Sequence, residues 1–81
     1  MRENNRDIIN FCSNVKKLMK DYNLDDNEMA MIMKISKETL SIIKNYILPE
    51  ELSVDAIFSL HKTFRVKPSS LFDTEYQIIQ K

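Results

Sequence analysis

The sequence predicts an all-α fold, a compact bundle of about five short helices, and three observations carry that prediction. Between Leu24 and Asn45 two short amphipathic patterns stand so close together that only a tight corner fits between them, which is the shape of a helix-turn-helix at about 25–45. Ahead of it, apolar residues step by threes and fours for several turns. Helix-capping side chains (Asp25, Ser36, Ser53) stand where the later patterns begin.

Helix one is marked by Ile8, Phe11, Cys12, Val15, Leu18, Met19 and Tyr22, a stripe running from about Asn5 to Tyr22. Asn23 ends it, since Asn tolerates left-handed geometry better than most residues. Helix two begins near Asp26: Asp25 can accept from orphan backbone amides while Glu28 reaches back in a capping box. Its Met29, Ala30, Ile32 and Met33 share one face, Ala30 is small enough for a close helix crossing, and Met31 points outward. Met33, Lys34 and Ile35 make the corner.

Ser36 caps helix three, which turns Leu40 and Ile43 inward. Tyr46 to Leu52 is a connection, because Pro49 pushes Leu48 out of helical geometry. Ser53 caps a fourth helix with Val54, Ile57, Phe58, His61 and Phe64 on its inner face, broken at Arg65-Val66-Lys67. Pro68 opens a short fifth helix, Pro68 to Phe72, whose Leu71 and Phe72 close the core. The tail 73–81, with Tyr76, Ile78 and Ile79, is compatible with a helix extension, a strand added to a partner, or a mobile chain end. The chain has no glycine, so Asn23, Lys34, Asn45 and Tyr46 are the residues expected to take conformations glycine adopts more cheaply.

Eighty-one residues make a single domain, 1–81, with a small core. Twelve Lys and Arg balance twelve Asp and Glu, so no bulk charge draws the chain to nucleic acid or acidic membrane, and any basic surface must be local. The lone Cys12 cannot form an internal disulfide, and the first residues lack the apolar core of a secretory signal, which predicts a reducing, cytoplasmic setting. No apolar run approaches the ~18 residues that span a bilayer, so a soluble protein without a membrane partner is expected.

An enzyme is not expected. The one histidine, His61, lies on an apolar face with no nucleophile or carboxylate pair at catalytic spacing. One Cys and one His supply no zinc set, so no metal is expected; no cofactor is implied, and Cys12 and the methionines read as packing residues.

Across 14–72 the chain resembles the phage repressor and Cro family, the lambda-repressor-like domains. The matching features are Asn14-Val-Lys-Lys-Leu18, Leu24 before helix two, and Glu28-Met-Ala30 where the family usually has Glu-Leu-Ala. Further on, Ile35-Ser-Lys-Glu-Thr-Leu-Ser41 is similar to Val-Ser-x-x-Thr-Ile-Ser. Asn45 stands at the usual Asn-Gly, and Val66-Lys-Pro-Ser-Ser-Leu-Phe72 resembles the closing Val-Ser-x-x-x-Leu-Phe. The resemblance implies a transcriptional regulator that binds double-stranded DNA as a homodimer, with helix 36–45 in the major groove.

Carried over, the base readers are Lys37, Glu38, Ser41 and Ile42, chemically suited to guanine, cytosine N4, either kind of group, and the thymine methyl respectively. The phosphate contacts are Lys16, Lys17, Lys34, Lys44 and Asn45, with backbone amides at the starts of helices two and three. The chain departs from the family at Met19, at Asp26 where a phosphate-holding Gln is usual, at Lys34 for the corner glycine, and at Tyr46 after Asn45. Leu24 to Asn45 holds three lysines against four carboxylates. These departures, with a patch of Ile42, Tyr46, Ile47 and Leu48 beside helix three, keep a second reading open: a helix-turn-helix scaffold that binds another regulatory protein, with weak or no DNA binding. Ile47 and Leu48 can equally tuck under helix four as core.

Overall fold

The computed structural model describes the backbone of residues 2–50 and 52–79 and the side chains from residue 6 within those ranges; residue 51 of the predicted connection and residues 80 and 81 of the tail lie outside it. Four α-helices follow one another: α1 (Arg2–Asp21), α2 (Asp26–Met33), α3 (Lys37–Lys44) and α4 (Val54–Phe64). The fifth element, Pro68–Phe72, is a 3-10 helix. Among the described residues no helix is long and apolar enough to cross a membrane.

Local chemistry fixes the boundaries of α2 and α3. Asp25 accepts from the Glu28 amide at 2.8 Å while the Glu28 carboxylate accepts from the Asp25 amide at 2.9 Å, a complete capping box. Ser36 accepts from the Thr39 amide at 3.0 Å. Caps of this kind contribute about 1 kcal/mol each. Ser53 has cap geometry at the start of α4 but makes no side-chain cap bond.

The helix ends are closed without glycine. Asn23, Lys34, Tyr46 and Arg65 all have positive φ, between 56° and 66°. Asn45 does not: its φ is −94°, so the left-handed residue after α3 is Tyr46 alone, and Arg65 joins the set unforeseen. At three of these ends the next residue's amide reaches back five residues, Leu24 to Met19, Ile35 to Ala30 and Ile47 to Ile42, at 2.8–3.2 Å. That is the Schellman pattern, in which the residue after the left-handed one is usually apolar and packs back onto the helix.

The core draws Phe11, Cys12, Val15 and Leu18 from α1, Met29, Ala30 and Met33 from α2, Leu40 and Ile43 from α3, and Ala56, Leu60 and Phe64 from α4, with Val66 and Leu71 beyond. The inner face predicted for α4 is therefore corrected. Val54 and Phe58 are 63% and 50% exposed, Ile57 and His61 are half-buried, and of the predicted set only Phe64 is fully inside. Ala56 is fully buried, and a methyl group there lets α4 close on the core it shares with α2, where a larger side chain would hold the helix away. His61 turns Nδ1 toward the Val66 carbonyl at 2.9 Å; a carbonyl only accepts, so this nitrogen carries the proton.

None of the three states considered for the tail describes its course to Ile79. It folds back on its own chain: Val66 and Ile78 form an antiparallel bridge, the Lys67 amide donates to Gln77 O and the Ile79 amide to Arg65 O, both at 2.7 Å. A buried Asn14 on α1 holds this end in place. Its Nδ2 donates to Leu71 O at 2.8 Å and Asp73 O at 2.9 Å, with a longer contact to Ser70 O at 3.4 Å, and its Oδ1 accepts from the Tyr76 amide at 3.2 Å. Phe72 stacks on Phe11 with ring centroids 5.4 Å apart.

Candidate nucleic-acid interface

The two eight-residue helices α2 and α3 are joined by Lys34, Ile35 and Ser36. Leu40 and Ile43 are fully buried and pin α3 from below, so its other face is held outward. That face carries Lys37, Glu38, Ser41, Ile42 and Asn45, all exposed, along a helix about 12 Å long. The four expected base readers thus share one surface and offer a cation, an anion, a hydroxyl and a branched alkyl group.

The expected phosphate contacts are dispersed. Lys44 pairs with Asp26 at 2.8 Å, tying the end of α3 to the start of α2. Both side chains are substantially exposed, so the pair contributes under about 1 kcal/mol and a phosphate can compete for the ammonium. Lys16 donates to the Tyr46 hydroxyl at 3.2 Å and sits 4.6 Å above the same ring. Lys17 lies 3.9 Å from Glu75 and over the Tyr76 ring, on the tail side of α1.

Among the described residues neither Lys34 nor Lys37 makes an ion pair. Lys34 is exposed at the left-handed corner. The Asn45 side chain donates to Ser41 O at 3.0 Å and caps the last turn of α3. At the start of α2 the Glu28 amide is already bonded to Asp25, and the carboxylates of Asp25, Asp26 and Glu28 surround it, a negative cluster where an incoming phosphate would need a positive one.

Beside α3 lies a feature only half anticipated. Ile47 and Leu48 are 57% and 40% exposed rather than tucked under α4. Together with Tyr46 and with Ile8 and Ile9 of α1 they line an open groove of about 440 Å³. Ile9 was legible as an apolar residue lying off the inner stripe of α1. Its neighbour across the groove depends on where residues 46–48 cross α1, which the spacing does not give.

Burial raises the pKa of the Cys12 thiol, so it is protonated and packed, with Sγ 3.7 Å from Ile47 O. No family model, curated protein or solved structure matches this chain.

Proposed function

We propose that this chain is a DNA-binding transcriptional regulator of the repressor and Cro type, not an enzyme, acting as a homodimer on a site with two related halves. The observation that carries the proposal is the outward face of α3. Lys37, Glu38, Ser41 and Ile42 stand on a short helix pinned by Leu40 and Ile43 and capped by Ser36, immediately after a three-residue corner from α2. In a helix-turn-helix of the lambda-repressor-like kind this is the helix that enters the major groove, and two of them one turn of DNA apart, ~34 Å, supply the base contacts that one short helix lacks.

Electrostatics makes the expected binding modest. If Lys16, Lys17, Lys34 and Lys44 all reach phosphates, each protomer gives a salt slope of about −3 to −4; if only Lys34 does, the slope is about −1. Selection from a random DNA pool, followed by salt titration of the enriched site, tests both points. Enrichment of a two-fold related sequence is expected, and Lys37→Ala costs ~1–3 kcal/mol at one position of it. No enrichment at low salt removes the proposal.

One observation favours the second reading, a scaffold for a protein partner. Three of the four expected phosphate lysines are engaged within the molecule, while an apolar groove stands open next to α3.

A further inference from the structure

Three basic side chains that the proposed DNA contacts leave unused meet at the C-terminal end of α4. His61, Lys62 and Arg65 line a concavity of about 280 Å³, and Ile79 of the returning tail is its fourth wall. Among the described residues no carboxylate lines it. From Ala56 to Phe72 the sequence holds no acidic residue at all. The tail's Asp73 and Glu75 line a different concavity, which they share with Arg6.

Histidine and lysine in the last turn of a helix ordinarily offset the negative end of its dipole. Here the backbone carbonyls around the pocket are already answered. His61 O accepts from the Arg65 amide at 2.8 Å, Val66 O from His61 Nδ1 at 2.9 Å, and Arg65 O from the Ile79 amide at 2.7 Å. Lys62 and Arg65 are exposed, and among the described residues neither makes an ion pair. Two full positive charges are left for something outside the chain.

The same bonds set the walls before any ligand arrives. Nδ1 is committed to Val66 O, which orients the imidazole and leaves Nε2 as its open nitrogen. Arg65 is held at φ 60°, a left-handed helix end that glycine takes more cheaply, and the Ile79 amide ties the tail against it. Such preorganisation lowers the ordering cost of binding.

From this arrangement we infer that the pocket binds a small phosphorylated molecule with a hydroxyl close to its phosphate, of the sugar-phosphate class. The Lys62 ammonium and the Arg65 guanidinium donate to phosphate oxygens, the guanidinium as a planar fork that matches two of them. In the neutral ring Nε2 only accepts, so a bare phosphate leaves it unpaired whereas a neighbouring hydroxyl donates to it. Ile79 lies against the carbon skeleton. The volume is at the small end for ligand sites, which suits one sugar phosphate rather than a dinucleotide. α3 packs on α1 and α2, whereas this pocket is built by α4 and the tail. The inference goes beyond DNA recognition and does not depend on it.

Two-dimensional proton–nitrogen spectra of the full chain, titrated with ribose 5-phosphate, test this, with methyl phosphate and sodium chloride at matched ionic strength as parallel arms. Saturable shifts are expected at the amides of His61, Lys62, Arg65 and Ile79 with ribose 5-phosphate, weaker binding with methyl phosphate, and no saturation with chloride. Lys62→Gln and Arg65→Gln should each weaken ribose 5-phosphate binding at least about tenfold, the scale of a lost bond to a charged group. Both positions are exposed, so the melting temperature should hold. Lys62→Arg should retain binding.

Absence of a saturable shift, an equal response to chloride, methyl phosphate binding as tightly as ribose 5-phosphate, or binding undiminished in both glutamine variants each overturns the inference. If ribose 5-phosphate fails and a random-sequence duplex shifts the same four amides, the pocket belongs to backbone phosphates instead. DNA selection run on the Lys62→Gln protein separates the two proposals, because the loss of ribose 5-phosphate binding is expected with operator preference unchanged.

Discussion

Asn14 offers the sharpest test of how this fold is held. It is 1% exposed and uses both ends of its amide: Nδ2 serves the carbonyls of Leu71 and Asp73, Oδ1 the amide of Tyr76. Three carbonyl oxygens around one end and an amide at the other leave no doubt which atom is nitrogen. Asn14→Leu keeps the volume and removes every bond. With about 1 kcal/mol net for each of three good bonds, and a further cost for carbonyls stranded inside, the loss is about 3–4 kcal/mol. A domain of this length has about 4–12 kcal/mol in total, so the 3-10 helix and tail should come loose first.

Asn14→Asp is the more telling variant. It puts a carboxylate oxygen against the Leu71 and Asp73 carbonyls, where only a proton makes the contact favourable. Its folded-state pKa is then raised above the ordinary value of ~3.9, the folded form binds more protons, and stability falls as pH rises from about 4 toward neutrality. Urea unfolding followed by circular dichroism at pH 7 and pH 4 reads this directly. Relative to wild type, the variant should be weakest at pH 7 and recover on acidification; equal stability at pH 7, or a parallel pH profile, would refute the clamp.

Three other outcomes are expected. Leu40→Ala should cost ~2–5 kcal/mol, because the fully buried Leu40 holds α3 on the core, and a melting temperature within a few degrees of wild type would contradict that. Asp26→Asn releases Lys44 and removes a negative charge from the start of α2, so DNA affinity at low salt should rise and the salt slope steepen by about one; an unchanged slope would mean Lys44 never reaches phosphate. Burial, and then the hydrogen bond donated to Asp21, raise the pKa of the Tyr76 phenol. The stability this bond contributes is whole below pH ~10, where the unfolded phenol starts to ionise, and is lost as pH climbs further. Tyr76→Phe should cost less than about 1 kcal/mol at pH 7 and flatten the alkaline limb of the stability curve.

What the sequence made legible is what neighbours in sequence decide. Asp25 with Glu28, and Ser36, mark helix starts through bonds to residues three positions away, and the periodicity of α1 and α3 is sharp because their outer faces are polar. Periodicity turns the wrong face of α4 inward because Val54, Ala56, Ile57, Phe58, Leu60 and Phe64 put apolar groups around most of its circumference. There the period cannot choose, and the smallness of Ala56 does. The tail's course is set by Asn14 and Ser70, side chains that say nothing of a partner until the chain has folded. For the candidate site, periodicity alone brings Lys37, Glu38, Ser41 and Ile42 to one face, whereas the Lys44–Asp26 pair spans 18 residues and depends on how α2 and α3 cross.

The left-handed helix ends imply something about the chain's headroom. Lys34, Tyr46 and Arg65 each hold a conformation that costs a side chain roughly 1–2 kcal/mol and glycine almost nothing, while glycine in turn gives up about 0.5–1 kcal/mol of unfolded-state entropy. The difference left at each corner is small but of one sign. A triple glycine variant should therefore melt above the parent, and the molecule can absorb an otherwise marginal substitution elsewhere by taking up that slack. Tyr46 is the exception worth watching: its ring also walls the groove beside α3 and holds Lys16, so glycine there would gain stability at the corner and lose that wall.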